Sequence, residues 1–188
     1  MALELKISAC FKEKCTKLEV SDITGAFNGS TNPTGWGGSN MSLANVDTAT
    51  LTITPPSGAA VNYDVTATVQ GASIVNGSFI IDTIDDITFN DGIYSIKYFV
   101  EDVSVPLEHE VTVKMFSTCK ADCCVEKMKT KFKEEMCGCN WLTYWDYYKQ
   151  AEALLYAAKS AFACGKEAQA TDLLNQVNKI CSIQKCCC

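Results

Sequence analysis

The chain has 188 residues, 47% of them hydrophobic and 20% charged, with a formal net charge of −6. That length admits one large domain or two small ones, and the apolar share excludes a chain too polar to offset the entropy of its own ordering. All sixteen basic residues are lysine. Without arginine's planar fork, sequence-specific reading of DNA and most phosphoryl-transfer chemistry are not expected.

The charge is uneven. Residues 1–118 carry six lysines against fourteen carboxylates, net −8, whereas residues 119–188 carry ten lysines against eight carboxylates, net +2. An acidic first part repels nucleic acid. No window approaches ~18 consecutive apolar residues, so no membrane partner is expected. The opening MALELKISACFKEKC has neither a basic leader before an apolar run nor a small-residue cleavage site. The protein is therefore expected to stay where it is made unless a larger particle carries it out.

In chain order, LELKI alternates Leu3, Leu5 and Ile7 with Glu4 and Lys6, and KLEVS offers Leu18 and Val20. ATLTIT alternates Leu51 and Ile53 with threonines, and AVNYDVTATV sets Val61, Tyr63, Val65, Ala67 and Val69 in phase. After the turn signal Asn90-Asp91-Gly92 come IYSIKYFV and then EVTVKMFS, with Val111, Val113 and Met115 in phase. Period-two alternation broken by turn chemistry predicts about seven short strands arranged as a β-sandwich. The DGIY stretch, Asp91–Tyr94, fits either an immunoglobulin-like tyrosine corner or a hairpin turn followed by a strand with a surface tyrosine.

Between Ser21 and Asn45 the alternation fails, and five glycines, a proline and several asparagines predict a long loop. Phe27, Trp36, Met41 and Leu43 in it are too apolar for a solvated linker. Two readings stand: an Ω-type loop packed on its own domain, or an interface in which Phe27, Trp36 and Met41 bury against a neighbouring subunit.

From Asp122 the period turns helical. Asp122 is the expected N-cap, with Val125, Met128, Phe132 and Met136 on one face. Asn140 precedes a second helix whose apolar positions are Leu142, Trp145, Leu154, Leu155, Ala158 and Phe162. Gly165 ends it. A third helix places Ala170, Leu173, Leu174, Val177 and Ile180 inward. The last two resemble a single tetratricopeptide-type hairpin with no second repeat after it, and one such unit cannot bury its own face.

Ten of the twelve cysteines fall between Cys119 and Cys188. Cys119, Cys123, Cys137 and Cys139 are the candidate metal ligands, but they contain no C-x₂-C pair and the sole histidine, His109, lies in a strand. Disulfides fit the even number, yet a reducing compartment would hold thiols. The expectation is that most pack as small hydrophobes, with no metal and no cofactor. No catalytic residue emerges either: a cysteine nucleophile wants a histidine base, and His109 has no evident partner. Asp82, Asp85, Asp86 and Asp91 lack the spacing of a calcium cage and are expected to be solvated hairpin carboxylates.

Taken in order, DITGAFNGSTNPTGWGGSN, ATLTITPPSG, DGIYSIKYFV, FSTCKADCCVEKM and a cysteine-dotted helical tail resemble small virion proteins of crAss-like tailed bacteriophages, over a span from about Asp22 to the C-terminal cysteines. The KCCC end, Cys10 and Cys15 have no counterpart in that pattern. The resemblance implies a non-enzymatic ring or connector subunit of the tail, assembled in the bacterial host cytoplasm and residing in the virion. Its partners would be copies of itself and neighbouring portal, ring or tail proteins around a DNA conduit.

The expected fold class is therefore α+β. An immunoglobulin-like antiparallel β-sandwich over 1–118, with its 21–45 loop, precedes a cysteine-rich helical hairpin or small bundle over 119–188. Two other functions compete: an immunoglobulin-like ligand-binding or adhesin module, and a small zinc-binding protein using its cysteine cluster.

Overall fold

The computed structural model describes residues 2–12, 17–28, 47–66, 77–81, 90–102, 107–134 and 141–184. The fold is α+β, with antiparallel sheets and three helices among these residues. The chain divides into two units: Met1–Phe89 with Tyr94–Met115, and Asn90–Ile93 with Phe116–Cys188. The second unit thus takes in a four-residue segment, Asn90–Ile93, whose last two residues open strand β6 (Gly92–Asp102).

In the first unit, β1 (Ala2–Lys12) pairs antiparallel with β2 (Lys17–Asn28), and β2 pairs with β5 (Gly77–Ile81). The second sheet has the order β4-β3-β6-β7, built from β3 (Thr48–Thr54), β4 (Val61–Asp64), β6 (Gly92–Asp102) and β7 (Leu107–Ser117). Period-two alternation decides which residues point inward. In β3, Ala49, Leu51 and Ile53 are fully buried, and in β6 so are Tyr94, Ile96, Tyr98 and Val100. Ile7 and Leu18 of the first sheet join them in one apolar cluster, and the Phe11 ring meets Tyr94 edge-on at 5.1 Å. Each fully buried Leu, Ile or Val contributes about 1.5–3 kcal/mol. Tyr94 is therefore core, not the surface tyrosine of the hairpin reading.

Two strand limits differ from expectation. β2 continues past Ser21 to Asn28, because β1 is long enough to pair with it, from Lys6↔Thr24 to Ala2↔Asn28. The strand tolerates Gly25, which lies opposite Leu5. The first part of the expected loop is thus strand, and the remainder, 29–46, lies outside the described residues. β5 is a strand that alternation did not reveal. Its sequence GSFII is a short apolar run in which period two cannot be read.

At the end of β4 the Asp64 carboxylate accepts from the Thr66 hydroxyl at 2.6 Å and the Thr66 amide at 2.9 Å. These two bonds hold the Asp64 carboxyl below the usual range. Thr66 in turn accepts from the Ala49 amide at 2.9 Å, carrying the chain past the last paired residue of β4.

The second unit contains α1 (Cys119–Glu134), α2 (Trp141–Ala163) and α3 (Glu167–Ile183). Its core joins Ala121, Val125 and Met128 of α1 to Tyr148, Ala151 and Leu155 of α2 and to Leu174, Val177 and Ile180 of α3. The 3.6-residue period sets these positions. The hairpin of α2 and α3 thus buries its face in part against α1. Gly165 adopts a φ of +72°, with its amide bonded to the Phe162 carbonyl and the Lys166 amide to the Ala161 carbonyl, both at 2.9 Å. This is a Schellman ending, and it needs a residue at ease in the left-handed region. Leu142, expected inward, is 55% exposed, while Tyr148, Ala151 and Ala161 take inward positions.

Candidate functional site

The residues with the most unusual surroundings gather at the start of α1. A helix begins with four N–H groups that have no partner within it. Here the donors of Lys120 and Ala121 are met from a distant turn, as Asp91 Oδ1 accepts from Lys120 at 2.9 Å and Oδ2 from Ala121 at 2.7 Å. Gly92, at a φ of +136°, shapes that turn, and Lys120 Nζ donates to Asn90 Oδ1 at 2.8 Å. Burial pushes the Asp91 carboxyl up, while the two amides and the Lys120 charge pull it down without cancelling the rise.

Asp122 is accordingly not the N-cap. It lies inside the first turn, where it accepts from the Thr118 hydroxyl and from Lys159 Nζ, each at 2.7 Å. Thr118, whose carbonyl takes the first helical bond from the Asp122 amide, stands at the cap position. A carboxylate near a helix start remains favourable there.

The cysteines of this unit differ from the packing-thiol expectation. Cys124 and Cys181 form a disulfide joining α1 to α3, 57 positions apart in sequence and both buried. Cys119 and Cys123 are disulfide-bonded as well. A sulfur committed to a disulfide is not a thiolate and cannot ligate zinc, so these two candidate ligands are removed. Cys137 and Cys139 lie outside the described residues. Among the described residues, no group of three His, Cys, Asp or Glu side chains is placed to hold a metal ion. Cys10 and Cys164 are free thiols, the first part-buried with its sulfur 3.8 Å from Glu19 Oε2, the second exposed.

The remaining predicted positions are scattered. Phe27 is in β2 with Leu3 as its cross-strand partner, whereas Trp36 and Met41 lie outside the described residues. His109 is in β7. Of the acidic set, Asp82, Asp85 and Asp86 are outside the described residues, and Asp91 is the helix cap described above, not a solvated carboxylate.

A second feature of the helical unit was missed in the sequence. Trp145 packs on Phe132 at 4.7 Å and on Tyr148 at 5.8 Å, and Lys149 Nζ sits 4.9 Å from the Trp145 ring centre. The Tyr148 hydroxyl donates to Glu152 Oε1, and Lys149 pairs with the other oxygen at 2.9 Å. That bond raises Tyr148 to about 12 and lowers Glu152. Beside this cluster, and sharing Lys149 with it, Leu142, Asp146, Lys149, Ala153, Tyr156 and Ser160 form an exposed stripe of α2. Leu142 is 55% exposed and Tyr156 75%, about 21 Å apart along the axis at 1.5 Å per residue. The spacing of fourteen residues, four helical turns, is the signal that would have shown them on one face.

No family model, curated protein or solved structure matches this chain.

Proposed function

We propose that the protein is a non-enzymatic structural subunit of a virion, a ring or connector component of a phage tail or head–tail assembly. The observation that carries this reading is the exposure of Leu142 and Tyr156 on one face of α2, which they share with Asp146, Lys149, Ala153 and Ser160, on a helix already anchored along its opposite face. A single exposed apolar residue is ordinary, whereas two on one helix face with charged and small residues between them fit a mixed association surface. The ordered resemblance of several stretches to tail proteins of crAss-like phages supports the same assignment. On this reading the first unit is an immunoglobulin-like sandwich and the second a cysteine-rich helical appendage. Repeated head-to-tail contacts between copies then close a ring without a catalytic group. The acidic balance of residues 1–118 suits a conduit wall that does not hold passing DNA.

Quantitative mass spectrometry of purified particles tests this assignment. A fixed ratio to the major capsid protein, at the multiple a ring requires, is expected. Absence from particles would remove the proposal. In parallel, Leu142→Asp/Tyr156→Asp should leave the monomer folded and block its incorporation. A doubly substituted chain that still incorporates would remove α2 as the contact.

A further inference from the structure

We propose that β7 is a self-pairing edge, to which a second copy of this chain adds its own β7 antiparallel, with Thr112 of each copy at the two-fold axis. The inference does not rest on the assembly role, because a two-fold contact joins two copies and stops, whereas ring contacts repeat head-to-tail. It begins with the sheet edges among the described residues, which are β1 and β5 in one sheet and β4 and β7 in the other. An edge strand offers a row of backbone N–H and C=O groups to a further strand, and short or bulged edges discourage that pairing. β4 and β5 have only four and five residues, and β1 is interrupted by a register shift between Lys6 and Ser8. β7 has eleven.

The side chains of β7 carry a pattern complementary to itself. Glu110, Thr112 and Lys114 are exposed on one face, while Val111 and Val113 on the other pack against the core and stay only half-buried. The inward residues of β6, which has a strand on either side, are fully buried. Directly opposed residues of an antiparallel pair share a face. With the axis at Thr112, Glu110 of each copy meets Lys114 of the other, and Val111 meets Val113, so the apolar face runs on from one sheet into the next. An axis moved to Glu110 or to Lys114 would set like charges against each other. Glu110 already accepts from Lys97 of β6 at 3.2 Å. A carboxylate has about four acceptor sites and an ammonium three donors, so the new pairs add to the contacts each group makes within its own chain.

Sedimentation equilibrium of the full chain measures the pairing, with Cys164→Ser throughout so that a disulfide at that exposed thiol cannot imitate it. A monomer–dimer equilibrium that weakens with added salt is expected. Glu110→Lys and Lys114→Glu, each alone, oppose like charges twice and should weaken the dimer by ~10-fold or more. Mixed together, the two variants should restore it as a heterodimer, since each then offers the charges the other lacks. That rescue requires both variants to be folded, which separates it from a loss of structure. Hydrogen exchange in the unsubstituted β7 needs neither variant: its amides should slow as concentration rises while those of β3 do not. A chain still monomeric at about 1 mM would overturn the proposal. So would single variants that pair as well as the parent, a mixture of folded variants that stays monomeric, or exchange in β7 that ignores concentration. Loss of the dimer in Leu142→Asp/Tyr156→Asp would also overturn it, by assigning the contact to α2 and leaving the assembly reading in place.

Discussion

Replacing Asp91 tests the helix-capping argument most directly. In Asp91→Ala the N–H groups of Lys120 and Ala121 lose acceptors at 2.9 and 2.7 Å and keep no substitute within the helix. Loss of a single cap typically costs about 1 kcal/mol, and hydrogen bonds to an ionised acceptor reach about 1.5–3 kcal/mol. Two bonds are lost here, but burying the carboxylate opposes them, so the net is about 2 kcal/mol. Asp91→Asn keeps one acceptor and should lose about 1 kcal/mol.

The sign of the pH dependence follows from the raised Asp91 pKa. The folded state holds this proton more tightly than the unfolded chain. Its contribution is therefore complete below the ordinary carboxylate range and declines as pH rises through the elevated value. The advantage of wild type over Asp91→Asn should shrink on going from acid towards neutral pH. Urea unfolding followed by helical ellipticity, with hydrogen exchange in α1 as a local reporter, measures both effects. A loss below about 0.5 kcal/mol for Asp91→Ala would refute the capping account, and an advantage that grows with pH would refute the dominance of burial over the two amide bonds.

Two further substitutions probe separate parts of the fold. The Tyr98 hydroxyl is fully buried with no hydrogen-bond partner among the described residues, so Tyr98→Phe should leave stability unchanged or raise it by about 1 kcal/mol in thermal or urea unfolding. A loss of that size would mean the hydroxyl is satisfied. At Gly165 a Cβ would meet nothing within 4 Å, so Gly165→Ala carries only the left-handed backbone cost of about 1 kcal/mol, and Gly165→Asn should recover part of it. Equal stability of the alanine and asparagine variants in the same assay would show that φ is not what selects glycine there.

What could be read in advance was what is local. Leu51 with Ile53, or Ile96 with Val100, declare their strands because the period of two lies within a few adjacent residues. The α3 positions Ala170, Leu174, Val177 and Ile180 do the same at 3.6. Gly165 marks a helix end for a reason of backbone sterics alone. What escaped was set by partners far along the chain. The Asp91 cap spans thirty residues, and nothing near Asp91 announces a helix start. The Cys124–Cys181 pairing was hidden because a cysteine run does not encode its connectivity, and an argument from compartment favoured thiols. Leu142 was placed inward on hydrophobicity, although four turns away Tyr156 shares its face and is also exposed.

The Asn90–Ile93 turn has a practical consequence for anyone dissecting the molecule. A fragment begun at Cys119 would contain all three helices and yet omit the carboxylate that completes the first of them. Cut at the apparent boundary, the helical piece should fray from its N-terminus, and its poor behaviour would be blamed on missing neighbours and not on one missing side chain. Synthesis runs the other way: Asp91 leaves the ribosome before α1 exists, so the acceptor is already in place when the first turn of that helix forms.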